Sequence, residues 1–337
     1  MGVLVTGAAG LVGSHVVDAL LRRGERVRAL LRPEEPGERL AAAAGVEVVR
    51  GDLGDPPSLT AAVAGVERVL HCAARTGPWG PRHEYERVNV AGLRALVDAA
   101  TAAGVRRLVH VSSAIVQGTD APRPRDESAP LRLEPNPYSW SKILGERLLE
   151  AVIREGRLEV AIVRPGLVFG PRDAGSFGRF ASMIEGGKMV VIGSGENHLP
   201  LVYVGDVAEA ILLAGESPRA AGRTYLVVND EPVTQREYLG AIAGALGVAP
   251  PRRHVPYRLA LTLAQVAEGL VRVSRRRGPP PLTRFGVRML GGENRFVIRR
   301  AREELGFEPR VGLAEGVRLG VAWYRESARG AGAEVRA

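Results

Sequence analysis

The sequence contains very little cysteine. Cys72 is the only cysteine among 337 residues, whereas a disulfide framework or a cysteine-rich zinc site needs several. The sequence also lacks a charged segment and long apolar run at its start, because it opens directly on a predicted strand at residues 2–6. We therefore predict no signal peptide and no need for an oxidising compartment, and we expect a cytoplasmic protein.

The charge balance does not indicate a nucleic-acid partner. The 46 Lys and Arg residues outnumber the 37 Asp and Glu residues, giving a net charge of +9, but the basic residues are mostly scattered. The sequence contains no helix-turn-helix pattern, zinc-finger spacing or aromatic and basic platform, and a positive field also suits an anionic dinucleotide. His71, Cys72 and His110 lie in apolar strands, where core packing is the usual role, so we predict no metal site.

Short apolar runs alternate with helical segments through the first half of the chain. This regular alternation predicts an α/β fold of the Rossmann type, with a doubly wound parallel sheet covered by helices on both faces. The predicted strands lie at residues 2–6, 27–31, 46–50, 69–72, 108–111 and 160–163.

The alternation breaks after Pro165, where two glycine-containing loops precede a return to strand at residues 225–228. The sequence predicts a dinucleotide-binding Rossmann domain at residues 1–170, to which the chain returns at about 201–230. A smaller, mostly helical lobe at residues 171–337 is predicted to bind the substrate.

A glycine-rich turn follows the first predicted strand. Three glycines at the first strand-to-helix junction permit a tight turn and a close approach of pyrophosphate. The N–H groups and the dipole of the following helix favour the negative charge of the phosphates. The residues predicted to bind the cofactor here are Gly7, Ala9, Gly10, Leu11, Val12 and Gly13.

The end of the second strand bears on the choice between NAD(H) and NADP(H). An NAD site usually offers an acid there, but this strand ends at Leu31 and is followed by Arg32, a cation suited to a 2′-phosphate. NADP(H) is therefore favoured, with NAD(H) as the alternative if Glu34 or Glu35 reaches the ribose. After the third strand, Asp52 and Leu53 are predicted to line the adenine pocket.

Tyr138 and Lys142 are spaced four residues apart and share one helical face. A nearby cation favours the phenolate, so the two side chains together form a workable proton-transfer group. Ser112 and Ser113 follow a predicted strand and lie at the carboxyl edge of the sheet, where ligands bind in this architecture. A serine hydroxyl there is able to hydrogen-bond the reacting oxygen.

With these residues in place, the sequence resembles the extended short-chain dehydrogenase/reductase superfamily over nearly its whole length. The resemblance implies that Ser113 is the catalytic serine, Tyr138 the proton donor or acceptor, and Lys142 its partner and ribose ligand. Asn89 is implied to orient the catalytic helix or a proton-relay water. The remaining cofactor contacts implied are Cys72, Ala73, Ala74, Asn89, Ser112, Pro165, Gly166 and Val168.

Within the superfamily, the sequence is most similar to the 3β-hydroxysteroid dehydrogenase branch, which includes sterol-4α-carboxylate 3-dehydrogenases and 2-alkyl-3-oxoalkanoate reductases. This resemblance implies an NAD(P)-dependent interconversion of a secondary alcohol and a ketone on an apolar, lipid-like substrate, a 3β-hydroxysteroid or a 3-oxo or 3-hydroxy acid. The oligomeric state is left open by the sequence, and a homodimer is one alternative. The resemblance rests on residues 77–80, 228–232, 254–257 and 281–285.

Two other functions remain open. A nucleotide-sugar 4-epimerase shares the catalytic residues, but such relatives usually carry an Arg and Asp pair where this sequence has Leu199 and Pro200. A non-catalytic dinucleotide-binding structural or sensor protein would keep the glycine turn and could lose the catalytic residues, whereas here Ser113, Tyr138 and Lys142 are all present.

An apolar helix is predicted at residues 257–273 and is expected to roof an apolar substrate pocket. It is shorter than the roughly 20 apolar residues that a membrane span needs, and charged residues interrupt it. Its apolar stripe either completes the core of the second lobe or forms a lid that touches a membrane through residues 275–277. Of these two interpretations, the one in which the stripe packs in the core and does not contact a membrane is favoured.

Overall fold

The centre of the protein is a parallel β-sheet. The computed structural model describes residues 2–274 and 278–334. The strands of this sheet are Gly2–Thr6 (β1), Val27–Leu31 (β2), Val46–Arg50 (β3), Val66–His71 (β4), Arg107–Val111 (β5), Glu159–Pro165 (β6) and, later in the chain, Arg223–Val227 (β11). The short strands between and after them are Leu167–Phe169 (β7), Val191–Ile192 (β8), His198–Leu199 (β9), Leu201–Tyr203 (β10), Val233–Thr234 (β12) and His254–Val255 (β13).

The strand order in the large sheet is β3, β2, β1, β4, β5, β6, β11, and all neighbouring pairs are parallel. The chain changes winding direction between β1 and β4. Ligands bind at the carboxyl ends of the strands at such a switch point. The predicted Rossmann-type doubly wound sheet is therefore confirmed.

Helices cover both faces of the sheet. Alternate residues of β1 point to opposite faces, so Val3 and Val5 join one apolar core while Leu4 joins the other. The helices of the Rossmann region are Leu11–Arg22 (α1), Glu38–Ala41 (α2), Pro56–Val63 (α3), Arg82–Glu86 (α4), Gly92–Ala102 (α5), Pro137–Arg154 (α6) and, after the second-lobe helix Phe177–Glu185 (α7), Val204–Glu216 (α8). A π-helical turn lies at Arg87–Ala91, and 3₁₀ turns lie at Ala114–Gln117 and Pro218–Ala220.

The predicted strand at residues 69–72 begins earlier than expected. In the structure β4 starts at Val66 and includes Arg68, whose guanidinium forms ion pairs with Glu25 and Glu216. A charged residue therefore occupies a strand position because carboxylates from neighbouring elements pair with it. The apolar-run criterion could not detect that strand start.

A third apolar core lies in the C-terminal region, which is mostly helical as predicted. Helix α9 (Gln235–Leu246) shows how the sequence sets such an element: Thr234 and Glu237 form a capping box at its start, and Gly247 ends it in the left-handed conformation. The division at residues 170 and 171 stays a prediction. The helices here are Gln235–Leu246 (α9), Tyr257–Val273 (α10), Arg284–Gly291 (α11), Arg299–Leu305 (α12) and Leu313–Glu334 (α13), together with α7.

Helix α10 has the predicted bounds, but most of its large apolar side chains face outward. Ala260 and Ala264 are buried in the third core and Leu261 packs against it, whereas five large apolar side chains are 49–85% exposed. The apolar stripe therefore completes the core of the second lobe only in part. The membrane contact predicted for the alternative at residues 275–277 falls outside the residues that the structure describes. The exposed side chains are Leu259, Leu263, Val266, Leu270 and Val273.

None of the helices in the described ranges has both the length and the apolar character that crossing a membrane requires.

Candidate active site

The glycine turn after β1 leaves no room for side chains. Gly7 has a φ of +65°, and a Cβ there would lie 2.8 Å from the backbone N of Ala73. A Cβ on Gly13 would lie only 2.1 Å from the carbonyl oxygen of Gly7. The Gly10 N–H donates to that same carbonyl at 2.9 Å. These contacts bring the start of α1 against the carboxyl ends of β1 and β4.

The same turn fits a pyrophosphate. The residue before α1 is Gly10, so no side chain caps the first-turn N–H groups, and the first turn contains no acidic residue. Ala9 and Gly10 are exposed to solvent, whereas Ala8 is buried. Unpaired N–H groups and the positive end of the helix dipole therefore face an accessible concave backbone, which is the arrangement that binds phosphate. Leu11 and Val12 form the first residues of that turn.

Arg32 lies just after β2 and is engaged by two carboxylates. Its guanidinium forms ion pairs with Glu34 at 2.9 Å and Glu35 at 3.1 Å, and its backbone N–H donates to Glu35 at 3.0 Å. Two carboxylates therefore stand beside this cation just beyond the strand end. A cation and a carboxylate stand together where the adenosine ribose is expected.

The two residues predicted for the adenine pocket differ in exposure. The Asp52 carboxylate accepts the Gly54 N–H at 2.7 Å and shapes the turn after β3. Leu53 is buried in the sheet's apolar core, against Gly92, where an added Cβ would meet the Leu53 Cβ at 2.7 Å. Gly92 therefore permits the close approach of α5 to this turn.

Asn89 connects the loop after β4 to the catalytic helix. Its side-chain amide donates to the Arg75 carbonyl at 3.0 Å and to the Ser141 hydroxyl at 2.8 Å, and its oxygen accepts the Arg75 N–H at 2.8 Å. These three bonds use the whole carboxamide to orient α6 against the loop. Cys72, Ala73 and Ala74 precede this loop and are half-buried at the sheet edge.

Helix α6 brings the predicted catalytic residues together. Asn136 caps its start by accepting the Ser139 N–H at 2.8 Å. The side chains of Tyr138 and Ser113 lie near one another, so that the serine hydroxyl lowers the pKa of the phenol. The Lys142 ammonium lies 5.9 Å from the centre of the Tyr138 ring and donates to the Val111 carbonyl at 2.7 Å. The three predicted side chains therefore form one cluster at the carboxyl edge of β5.

Burial dominates the electrostatics of this cluster. Burial raises the pKa of Tyr138 to about 12, and the Ser113 hydroxyl opposes that rise. Burial also lowers the pKa of Lys142 to about 8, opposed by the negative charge of Glu146. Tyr138 therefore carries its proton at neutral pH and is set up to donate it.

A buried carboxylate beside this cluster was missed by the sequence reasoning. Glu146 on α6 accepts hydrogen bonds from the Ser112 hydroxyl and from Arg164 of β6, whose Nε lies 2.9 Å away. The hydroxyl of Ser112, predicted as a cofactor contact, is thus used within the protein. The signal that could have found Glu146 is its spacing, four residues after Lys142 on the same helical face.

The chain after β6 passes close to a neighbouring loop. A Cβ on Gly166 would lie 2.0 Å from the Pro200 carbonyl oxygen, so only glycine fits between Pro165 and β7. Val168 lies in β7 and pairs with Val202 of β10. This packing fixes the edge of the sheet beside the catalytic cluster.

The loop at residues 77–80 closes one side of the site. The Tyr85 hydroxyl donates to the carbonyls of Gly77 at 2.8 Å and Trp79 at 3.0 Å. The electrostatic effect of Tyr85 also raises the pKa of Tyr138. The Arg272 guanidinium lies 5.2 Å from the Trp79 ring centre. The C-terminal end of α10 therefore meets this loop.

Two further predictions concern metal ligands. Among the described residues, no group of three or more His, Cys, Asp or Glu side chains is arranged to hold a metal ion. His71 and His110 are buried and stack on one another, and burial lowers the pKa of both. Their position in the core agrees with the packing role predicted for them.

A doubly wound sheet, a phosphate-binding glycine turn at its switch point and a Ser, Tyr and Lys cluster at its carboxyl edge define a class of protein. The chain is an NAD-dependent enzyme of the extended short-chain dehydrogenase/reductase type. It belongs to the NAD dependent epimerase/dehydratase family, whose sequence profile matches residues 3–228.

Similar proteins include two characterised by redox activity. The 2-alkyl-3-oxoalkanoate reductase of Stenotrophomonas maltophilia is 32% identical over 333 residues, covering 94% of this chain and 98% of the relative. The decarboxylating sterol-4-alpha-carboxylate 3-dehydrogenase of Mus musculus is 31% identical over 330 residues, covering 93% and 88%. Among solved structures, the crystal structure of Thermus thermophilus UDP-glucose 4-epimerase in complex with NAD is similar to this protein with a TM-score of 0.75. The two sequences are 29% identical, and the match covers 96% of this chain and 99% of that chain.

Proposed function

We propose that the protein interconverts a secondary alcohol and a ketone on a lipid-like substrate, either a 3β-hydroxysteroid or a 3-oxo or 3-hydroxy acid. The observation that carries the proposal is the cluster of Ser113, Tyr138 and Lys142 at the carboxyl end of β5, with the buried Lys142 ammonium 5.9 Å from the centre of the Tyr138 ring. Three groups that polarise an oxygen, transfer a proton and stabilise the resulting charge thus stand within one cluster.

In the direction of reduction, Tyr138 donates its proton to the carbonyl oxygen of the substrate. Ser113 donates a hydrogen bond to the same oxygen and polarises the carbonyl. Lys142 stabilises the tyrosinate that remains and holds the nicotinamide ribose. When bound, the reduced nicotinamide supplies the hydride that adds to the carbonyl carbon. Proton and hydride together convert the ketone to the alcohol, and oxidation follows the reverse path.

The names of two relatives support the substrate class. Both describe redox chemistry at position 3 of a carbon skeleton that carries a carboxylate. We propose that such a substrate enters between the loop at residues 77–80 and α10, whose outward stripe of Leu and Val side chains offers apolar surface.

The nucleotide-sugar 4-epimerase alternative has less support from the local chemistry. A sugar pyrophosphate needs a cation, but Leu199 is buried in the third core and Pro200 accepts the Leu167 N–H at 2.6 Å. Neither residue supplies charge. An enzyme acting on a nucleotide sugar would therefore have to bind the pyrophosphate with another cation. The activity screen tests this alternative directly.

We further propose a preference for NADP(H) over NAD(H), with Arg32 as the ligand of the 2′-phosphate. Because Glu34 and Glu35 hold the guanidinium, a phosphate must displace at least one of these carboxylates. Arg32 is half exposed, so this exchange takes place in solvent and does not require the core to open.

The proposed function is tested by an activity screen. The purified protein is assayed with both cofactors against hydroxysteroids, 3-oxo and 3-hydroxy acids of increasing chain length, and UDP-glucose. Cofactor-dependent turnover of a member of the first two classes is expected. Turnover of UDP-glucose alone, without net change in cofactor absorbance, would establish the epimerase instead.

A further inference from the structure

We propose that Glu146 is the positioning residue of this site. Arg164 and Ser112 hold its carboxylate, which fixes the turn that carries Ser113 and keeps the Lys142 side chain protonated. The proposal rests on the catalytic roles given above to Ser113, Tyr138 and Lys142. Glu146 touches neither the substrate nor the cofactor site directly, because its side chain is 1% exposed and lies behind Ser112.

The bonds of Glu146 connect three elements. One carboxylate oxygen accepts the Ser112 hydroxyl and the Arg164 Nε, and the other accepts the Arg164 Nη2. Ser112 immediately precedes Ser113 and donates its own N–H to the Val163 carbonyl at 2.7 Å. The carboxylate thus ties α6 to the ends of β5 and β6. A shift of Ser113 relative to Tyr138 would have to break these buried, charge-assisted bonds.

The same carboxylate supplies negative charge near Lys142. Burial of an ammonium disfavours its charged form unless an opposite charge lies nearby. Among the described residues, the titratable groups facing Lys142 are neutral except for Glu146: burial lowers the pKa of the imidazoles and raises the pKa of the thiol and the phenol. These groups are His71 and Cys72 from β4 and its end, His110 from β5, and Tyr138 and Glu146 from α6.

Arg164 is the charged partner of Glu146. Its guanidinium faces Glu146 from β6, and its Nη1 is buried without a hydrogen-bond partner among the described residues. Removing the carboxylate leaves this second cation buried and uncompensated. Loss of the attraction from Glu146 should lower the pKa of Lys142.

The composition of the chain makes the test unusually direct. Lys142 and Lys188 are the only two lysines in the sequence, and Lys188 is exposed. Protein labelled with ¹³C at lysine Cε therefore gives two signals, which Lys188→Arg assigns. The pH dependence of the Lys142 signal in the full-length, cofactor-free protein reports its pKa without any substrate.

In wild type, this titration should give a pKa of about 8 for Lys142. Glu146→Gln should lower it by about one unit or more, and Glu146→Asp, which restores the charge, should recover most of that loss. Glu150→Gln, one turn further along α6 and exposed, is the matched control and should leave the pKa unchanged. An unaltered Lys142 pKa in folded Glu146→Gln overturns the proposal.

A second variant tests the positioning part and keeps the proposal falsifiable if Glu146→Gln does not fold. Ser112→Ala keeps the ion pair of Glu146 and Arg164 but releases the turn before Ser113. We expect kcat to fall by tenfold or more with little change in KM or in the Lys142 pKa. A wild-type kcat in this variant overturns the positioning role. If the lysine titration behaves as expected but no ketone is turned over, the proposed function fails and the inference about Lys142 stands.

Discussion

The imidazole rings of His71 and His110 stack across the pair formed by β4 and β5, with centroids 5.3 Å apart and ring planes inclined by 29°. The Nδ1 of His71 hydrogen-bonds the Thr6 hydroxyl at 2.7 Å, whereas neither ring nitrogen of His110 has a partner among the described residues. Both rings are buried, and burial lowers the pKa of each, that of His71 to about 3.

This stacked pair should make the protein lose stability in mild acid. Below the unfolded pKa of about 6.5, the unfolded chain binds protons that the folded imidazoles do not bind, so the free energy of unfolding falls as pH drops toward the folded pKa. For His71 the expected loss between pH 7 and pH 5 is on the order of 2 kcal/mol. Urea unfolding at the two pH values measures it.

The origin of this slope is checked with His110→Phe. This variant keeps an aromatic ring against His71 and breaks no hydrogen bond, so it should remove the contribution of His110 to the pH dependence of the free energy of unfolding and leave that of His71. His83→Gln, at an exposed position in α4, should leave the slope unchanged. Equal slopes in wild type and His110→Phe would contradict the assignment.

Replacing Tyr138 by Phe should remove the proton donor without disturbing the cofactor site. Because general acid–base groups contribute about 10²–10⁴-fold to turnover, we expect kcat to fall by about that factor. Cofactor affinity, measured by fluorescence titration, should stay close to wild type. Tyr324→Phe on α13, which removes only a surface bond to Glu185, is the control and should retain full activity. Wild-type turnover by Tyr138→Phe would refute the mechanism.

The preference for NADP(H) is checked by titrating both oxidised cofactors into the wild type. We expect tighter binding of the phosphorylated form, and Arg32→Ala should weaken that form by about tenfold or more, since charge-assisted hydrogen bonds contribute about 1.5–3 kcal/mol. Glu35→Gln should strengthen it by freeing the guanidinium. Arg106→Ala, which breaks an exposed ion pair elsewhere, serves as the control. Tighter binding of NAD by wild type would overturn the preference.

Two glycine substitutions should have opposite effects on stability. Gly13→Ala places a Cβ 2.1 Å from the Gly7 carbonyl oxygen, so we expect a loss of more than about 2 kcal/mol and loss of cofactor binding. Gly240→Ala in α9 meets no atom within 4 Å and should stabilise the protein by about 0.5–1 kcal/mol. Thermal unfolding of both variants measures the difference. A Gly13→Ala variant as stable as wild type would show that the turn can relax.

The sequence predicted features that depend on neighbouring residues along the chain. The alternation of strands and helices, the bounds of α10, the positive φ of Gly7 and the close approach of Gly13 to the Gly7 carbonyl are local properties, because periodicity and backbone conformation act over a few residues. The spacing of Tyr138 and Lys142 likewise placed them on one helical face. These elements of the fold are confirmed by the structure.

Tertiary structure alone decided which distant side chains meet. Glu146, Ser112 and Arg164 come from three parts of the chain and meet only in the packed fold. Periodicity gives a helix an apolar stripe without saying what covers it, so the outward turn of Leu263 and Leu270 could not be read from spacing. Burial against another element is a property of the packed fold, and it also sets the pKa values on which the proposed chemistry depends.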